Sequence, residues 1–253
     1  MLVRNNEKPR TAYLSGSEVT TAWLQGWVTA IGQYQHLHYV NKNLAEENAQ
    51  LREQMRDAYF FNRTDSIWVR DSVTRQKQYQ YIVAEVVDNS VNRQSNYITV
   101  NRGALHGVKP GSAVISAGGI VGIVLQTSDH YSIIMSLLHR SSHISAKLRR
   151  SNYFGSLAWR GDTPEEIHLD DIPKGAKVKR GDTIVTSGNS FLFPKGIMVG
   201  TVIQDTIPPG SNTHDVRVRL GADLGRIEHV YIINNILKPE AEKLKQAILD
   251  AEK

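Results

Sequence analysis

The sequence contains no cysteine. This absence excludes disulfide scaffolds, thiolate zinc sites, iron–sulfur clusters and cysteine nucleophiles. Long apolar runs are also missing, since the longest, Gly118 to Leu125, falls far short of the roughly 20 residues that a membrane-spanning helix needs. The first ten residues are too polar to form a signal peptide. No membrane anchor is therefore predicted within these 253 residues.

Glycine and proline, at 19 and 8 residues, are too few for a collagen-like or low-complexity protein. Hydrophobic residues make up 40% of the chain and charged residues 22%, which is typical of a globular protein of one or two domains. The sequence also lacks a long stretch of one charge sign. Its 30 basic and 25 acidic residues are interleaved, and the net charge is only +5. Phosphate binding favours an uninterrupted basic stripe, so no nucleic-acid partner is predicted.

The hydrophobic periodicity from Ser17 to Phe61 is helical and contains a heptad repeat. Leu37, Leu44 and Leu51 recur every seven residues, as the d positions of a coiled coil do. Asparagine at an a position is costly unless it pairs with its copy, and this pairing favours two parallel strands. The pattern predicts a homodimer, although an amphipathic helix lying on its own β-domain remains an alternative. The predicted seam consists of Tyr34, Leu37, Asn41, Leu44, Asn48, Leu51 and Met55.

From residue 79 onward the hydrophobic pattern has a period of two. Short runs such as Tyr97–Val100 and Ala113–Ile115 are separated by turns at roughly ten-residue intervals. The fold predicted is mainly β with an N-terminal α-helical coiled coil and two small β-barrels. The predicted domains are a helix or coiled coil at 1–61, a connector at 62–78, a double β-barrel at 79–237 and a C-terminal helical tail at 238–253.

No catalytic residue, cofactor or metal site is predicted. A double β-barrel is also the architecture of chymotrypsin-like serine proteases, and Ser187 would be the nucleophile of such an enzyme. However, the sequence around Ser187 lacks a Gly-x-Ser-x-Gly pattern, and Thr-Ser-Gly is more typical of a turn. Isolated histidines without cysteine also disfavour a metal site. The upstream histidines that could complete such a triad are His106, His130, His139 and His143. For a metal, His36 and His38 would point to different faces of a helix, and His139 and His143 would lie about 13 Å apart along an extended strand.

Two groups of residues, in this order behind the heptads, resemble the bacterial rod shape-determining protein MreC family. The resemblance covers about residues 30 to 235, and the segment Asn189–Leu192 departs from the more glycine-rich form of that family. The first group is Asn101, Arg102, Gly103, Gly107, Gly111, Gly119 and Gly122, and the second is Gly181, Asp182, Thr186, Ser187, Gly188, Phe193, Pro194, Gly196 and Gly200.

The resemblance implies a non-enzymatic periplasmic scaffold of the peptidoglycan machinery of cell elongation, tethered to the inner membrane by an N-terminal helix. It implies a homodimer formed by the coiled coil, and a β-domain that binds and activates the class B penicillin-binding transpeptidase. The implied partners also include MreD, RodA and, indirectly, MreB. The anchor of the family is missing here, so we expect the sequence to be the exported part of a longer protein.

The family-motif residues are expected to be structural or partner-binding. The glycines are expected to allow positive φ or tight barrel corners. Asp182, Thr186 and Ser187 are expected to bond turn amides, and Phe193 with Pro194 to fill an apolar gap. Two other functions stay open, namely a membrane-fusion adaptor of an export system and a chymotrypsin-like serine protease.

Overall fold

The computed structural model describes residues 39–54, 59–62 and 74–251. The chain divides into two compact units, 1–47 and 48–253. Within the described ranges the elements are helix α1 (39–54), fourteen β-strands and helix α2 (Lys238–Ala251). None of the helices in these ranges has the length and apolar character required to cross a membrane.

Helix α1 contains neither glycine nor proline and is rich in alanine, leucine, glutamate and glutamine, which favour helix. The prediction that the helix continues to Phe61 is wrong at its end. Residues Tyr59–Asn62 form strand β1, which pairs antiparallel with β2 (Thr74–Lys77). The aromatic run at residues 59–61 favours a strand. Strand β2 lies within the segment predicted as a connector, and the domain limits stay a prediction.

The first barrel is a closed antiparallel sheet with the strand order β14-β3-β4-β7-β6-β5. Its last strand, β14, follows the whole second barrel in sequence, so the second barrel is inserted between β7 and β14. A short 3-10 helix, Ala104–His106, connects β4 to β5. The strands are β3 (Tyr79–Asn89), β4 (Tyr97–Val100), β5 (Ala113–Ile115), β6 (Ile120–Thr127), β7 (Ser132–Ser136) and β14 (His229–Asn235).

The second barrel is also closed and antiparallel, with the strand order β10-β13-β12-β11-β8-β9. The prediction of a mainly β fold with two small barrels is confirmed. The strands are β8 (Ile144–Leu148), β9 (Phe154–Ala158), β10 (Glu166–Pro173), β11 (Thr183–Thr186), β12 (Met198–Thr206) and β13 (Thr213–Leu220).

Each barrel has its own apolar interior, built from alternate residues of its strands. Burying each of these aliphatic side chains contributes roughly 1.5–3 kcal/mol relative to leaving it in water. The interior of the first barrel includes Ile98, Val100, Val114, Val124, Ile134 and Ile232, and that of the second includes Leu148, Leu157, Ile167, Leu169, Ile184, Val202, Val216 and Val218.

The two barrels contact each other through main chain that approaches closely. A Cβ atom at Gly119 would lie 2.5 Å from the carbonyl oxygen of Met198, and one at Gly118 would lie 2.6 Å from that of Gly221. The Asn235 Nδ2 atom donates to the carbonyl oxygen of Phe191 at 2.9 Å. Any residue other than glycine at position 118 or 119 would therefore push the two barrels apart.

Candidate interaction surfaces

The predicted coiled-coil seam lies only partly within the described residues. Leu44 and Leu51 are 48% and 54% exposed on α1, seven residues apart. Asn48 is also exposed and Asn41 is half-buried. The other three seam residues, Tyr34, Leu37 and Met55, lie outside the described residues. Helix α1 thus carries exposed leucines at the heptad spacing.

The last turn of α1 contacts the first barrel. The main-chain amide of Tyr81 on β3 donates to the Glu53 carboxylate at 3.1 Å. The Arg52 guanidinium lies 5.4 Å from the ring centroid of Tyr231 on β14, a cation–π geometry. Burial raises the pKa of Tyr231. These two contacts join the end of the helix to neighbouring strands of one sheet.

The first group of motif residues holds the connection from β4 to β5. The Asn101 side chain accepts from the Glu85 amide at 2.9 Å and donates to the Glu85 carboxylate at 3.1 Å. The Ser132 hydroxyl donates to the carbonyl oxygen of Arg102 at 2.6 Å. Gly103 has an extended backbone, and a Cβ there would lie 2.2 Å from the carbonyl oxygen of Ser128. These contacts link β3, β4 and β7.

The second group begins with a carboxylate that closes a turn. Asp182 accepts from the Lys179 amide at 3.0 Å and from two nitrogens of Arg150 at 2.9 and 2.8 Å. The Arg150 hydrogen bonds hold the pKa of Asp182 below its ordinary value, against the effect of burial. This bidentate pair fixes the turn before β11 to the end of β8.

Thr186 closes the loop from β11 to β12. Its hydroxyl donates to the carbonyl oxygen of Pro194 at 2.6 Å and accepts from the Ile197 amide at 2.9 Å. Phe193 inside this loop is only 1% exposed. The loop is therefore a packed structure whose shape is set by one hydroxyl and one buried ring.

The motif glycines divide into two kinds. Most have positive φ, a conformation that other residues adopt only with strain. Gly200 and Gly122 instead lie where another strand comes close, because a Cβ would be 2.0 Å from the Arg219 carbonyl oxygen and 2.2 Å from that of Met135. The motif glycines with positive φ are Gly107, Gly111, Gly119, Gly181, Gly188 and Gly196.

Ser187 has the contacts of a turn residue. Its hydroxyl bonds the Ser145 hydroxyl at 2.9 Å and accepts from the Asn189 amide at 3.0 Å. The His139 ring instead bonds the Tyr97 hydroxyl at 3.2 Å. The ring centroids of His106 and His130 lie 6.2 Å apart, in an edge-to-face arrangement. In the ranges that the structure describes, no imidazole bonds Ser187 and no three histidine or carboxylate side chains gather as a metal site requires.

The outer face of the first barrel carries an apolar patch that the sequence did not single out. Tyr97, Met135 and Ile123 are paired across β4, β7 and β6. Ile133 is 40% exposed beside them, and Leu125 is 53% exposed at a bulge in β6. The alternation of apolar and polar residues along a strand predicts which side chains point outward. It does not predict which outer face of a barrel stays exposed, because that depends on how the barrels are arranged.

A buried lysine on the second barrel is a second feature that sequence reasoning missed. Lys147 on β8 is only 6% exposed, and its ammonium donates to the Asn152 Oδ1 atom at 2.9 Å. The same ammonium lies 5.8 Å from the ring centroid of Phe154. Burial lowers the pKa of Lys147, and the neighbouring Lys195 ammonium lowers it further. A lysine within a strand is ordinarily expected to be exposed, so the sequence does not predict that Lys147 is buried.

Acidification is expected to destabilise the second barrel through Asp182. Its pKa in the folded state lies below the ordinary value of 3.8, so its contribution to the free energy of unfolding is present above pH 3.8 and is lost as the pH falls through the lower, folded value. Asp182→Asn should reduce this pH dependence, as measured by urea unfolding between pH 2 and pH 6. Arg150→Gln, which removes the donor, should have the same effect, and an Asp182→Asn variant with the wild-type pH dependence would contradict the expectation.

The family can be decided by comparison with known sequences. A sequence model described as "Rod shape-determining protein MreC, barrel core" matches residues 86–234, more than half of the 253 residues. The chain belongs to the MreC family. The match covers both barrels except for the first residues of β3 and the last of β14.

Individual members of the family are distant relatives. The cell shape-determining protein MreC of Listeria monocytogenes is 27% identical over 231 residues, which are 88% of this chain and 76% of that protein. A solved MreC structure from Listeria monocytogenes has a TM-score of 0.58 at 25% identity and covers 90% of this chain and 96% of that one. The MreC chain of a complex between penicillin-binding protein PBP2 and MreC from Helicobacter pylori shares the fold, with a TM-score of 0.50 at 18% identity over 63% of this chain and 99% of that one.

Proposed function

We propose that this protein is a non-enzymatic periplasmic scaffold of the peptidoglycan machinery of cell elongation, tethered to the inner membrane in its full-length form. In this proposal its barrels bind and activate the class B penicillin-binding transpeptidase. The observation that carries the proposal is the family match across residues 86–234. A structural neighbour bound to a penicillin-binding protein supports the choice of partner.

The contacts of the motif residues support a scaffold over an enzyme. The hydroxyl of Ser187, the nucleophile that a serine protease would use here, bonds a serine and a main-chain amide. A serine nucleophile needs a base in hydrogen-bond reach and an oxyanion hole. The family match also favours the scaffold over an export-system adaptor. MreD, RodA and, indirectly, MreB are the other proposed partners.

Activation by a scaffold requires that it bind the active conformation of the transpeptidase more tightly than the inactive one. A coupling free energy of about 1–3 kcal/mol shifts that equilibrium roughly 5- to 150-fold. Acylation of the transpeptidase by a fluorescent β-lactam reports the active conformation. We expect this protein to accelerate acylation of the elongation transpeptidase, and an unchanged rate at saturating protein would contradict activation.

The exposed leucines of α1 support a parallel homodimer as the second part of the proposal. Leu44→Asp is expected to convert the dimer to a monomer, because it places a charge in the seam that Leu51 continues. Sedimentation velocity measures the change. Gln50→Asp is the matched control, since it introduces the same charge at an exposed position of α1 outside the seam. A Leu44→Asp variant that still sediments as a dimer would contradict the seam.

A further inference from the structure

Helix α2 begins at the first barrel, which holds its first turn and leaves most of its apolar side exposed. The carbonyl oxygen of Leu237 accepts from the Ala241 amide at 3.2 Å, which begins the helix. The Lys238 ammonium donates to the carbonyl oxygen of Gly111 at 2.9 Å and ties this turn to the barrel. Further along, Leu244 and Ile248 are 66% and 60% exposed. The barrel therefore fixes the start of α2 without covering its later apolar residues.

The apolar residues of α2 have the spacing of a coiled-coil seam. They stand at alternating intervals of four and three residues, which places Leu237 and Leu244 at d and Ala241 and Ile248 at a. A helix of 14 residues is marginal in water by itself, because most helix stability in proteins comes from packing an apolar face. A second helix that packs on this seam would stabilise α2.

The charges beside the seam favour an identical helix as the partner. Glu240 is at a g position and Lys245 is at the next e position. In a parallel pair in register, each Glu240 faces Lys245 of the second copy, whereas an antiparallel pair places g against g and e against e. Among the described residues neither side chain forms an ion pair. Both charges are therefore available for a parallel partner.

The balance of charge on α2 disfavours an anionic membrane as the occupant of this face. Helices that lie on such membranes carry an excess of lysine and arginine on their polar side. Helix α2 has equal numbers of basic and acidic side chains, namely Lys238, Lys243 and Lys245 against Glu240, Glu242 and Asp250.

We propose that α2 forms a parallel pair with α2 of a second copy of this chain, within the dimer proposed for α1. The inference rests on the proposed function for that dimer, because a seam of this length is too short to hold two chains together alone. Joining the chains through α1 raises the effective concentration of one α2 helix around the other. The two chains would then be joined both before and after the double barrel in sequence.

The absence of cysteine allows the pair to be tested by disulfide cross-linking of the full chain. In a parallel pair the two Ile248 positions face each other at a separation that a disulfide can span. In a glutathione redox buffer, Ile248→Cys should cross-link with an effective concentration at least about tenfold above that of Gln246→Cys. Gln246 is the matched control, because it is exposed on the side of α2 away from the seam.

Sedimentation of the wild-type chain separates this inference from the proposed function. If the wild-type chain is a dimer and the two cysteine variants cross-link equally, the α2 pair is overturned and the α1 dimer stands. A monomeric wild-type chain with equal cross-linking would overturn both. Selective cross-linking of Ile248→Cys that survives Leu44→Asp would overturn the dependence of the pair on α1.

The orientation of the pair is tested by exchanging its charges in the Ile248→Cys chain. Glu240→Lys and Lys245→Glu should each reduce cross-linking about fivefold, because each places like charges opposite one another. The double variant Glu240→Lys/Lys245→Glu should restore it, and failure to do so would overturn the parallel arrangement. Binding to phosphatidylglycerol vesicles by the wild-type chain, but not by Leu244→Asp, would overturn the assignment of this face to a second copy.

Discussion

Gly200→Ala is expected to destabilise the second barrel by about 3 kcal/mol, the upper end of the usual cost of overpacking. The added Cβ would lie 2.0 Å from the carbonyl oxygen of Arg219 on the neighbouring strand and 2.9 Å from the Val218 side chain. Strands β12 and β13 would have to separate where Gly200 pairs with Leu220. The midpoint and slope of urea unfolding measure the change.

Gly175→Ala is the matched control for this substitution. A Cβ at Gly175 would have no heavy atom within 4 Å, so its effect should stay within about 0.5 kcal/mol. If both variants unfold at the same urea concentration, Gly200 is not required for close strand approach. The family motif would then have to be explained by partner contacts instead.

Phe193→Ala is the second substitution with a large expected effect, a loss of about 3–5 kcal/mol in the free energy of unfolding. The ring is 1% exposed, and removing it leaves a cavity beneath the loop that Thr186 closes. Urea unfolding measures the loss.

Phe191→Ala makes the same chemical change two residues away. Phe191 is 53% exposed, so the loss of stability should be about 1 kcal/mol or less. Equal losses in the two variants would mean that Phe193 does not anchor the loop. A stable Phe193→Ala protein would equally contradict the structural role given to this motif.

Much of the β-fold could be predicted from the sequence because its strands alternate regularly. Tyr97–Val100 and Ala113–Ile115 have the bounds predicted for them, since turns with glycine or asparagine end both runs. Strand β10 (Glu166–Pro173) could not be predicted in this way. Its apolar residues Ile167 and Leu169 stand among charges, and a bulge at Asp171, with φ of 65°, interrupts the period of two.

The charged and polar side chains in and around β10 lie on the outer face of the barrel and form hydrogen bonds and ion pairs with one another. The His168 ring meets Asp215 at 2.8 Å and Asp162 at 2.9 Å, one carboxylate on each nitrogen. Arg160 pairs with Asp170 at 2.6 Å and also reaches Asp215. Burial raises the pKa of Asp215, but the hydrogen bond from His168 and the charge of Arg160 outweigh this effect and leave it lowered. A charged run of sequence can therefore be a strand whose outer face is an ionic network.

The candidate sites were less predictable than the fold. Motif residues such as Asn101, Asp182 and Thr186 could be singled out, because short polar side chains and glycines at turns have local mechanisms. The burial of Lys147 could not, because it depends on which groups cover the outer face of β8. Likewise, the apolar patch around Tyr97 and Ile133 becomes visible only when the barrels are in place.

The family motif and the exposed surfaces thus have different roles: the motif stabilises the fold, and the exposed surfaces are available for partner contacts. Several motif side chains, such as Thr186 and Phe193, are buried and hold loops or strands together. The residues available to a partner, such as Leu125 and Ile133 on the first barrel, lie outside the motif. Partner-binding variants should therefore be sought on these surfaces, because substitutions in the motif would mainly report stability.

The most direct test of the central claim is the affinity of this protein for the periplasmic part of the elongation transpeptidase from the same organism. A division transpeptidase serves as the control partner, and titration calorimetry measures both. We expect selective binding of the elongation enzyme with a Kd in the micromolar range or tighter, a binding free energy of about −8 kcal/mol or more favourable. No binding, or equal affinity for the two transpeptidases, would contradict it.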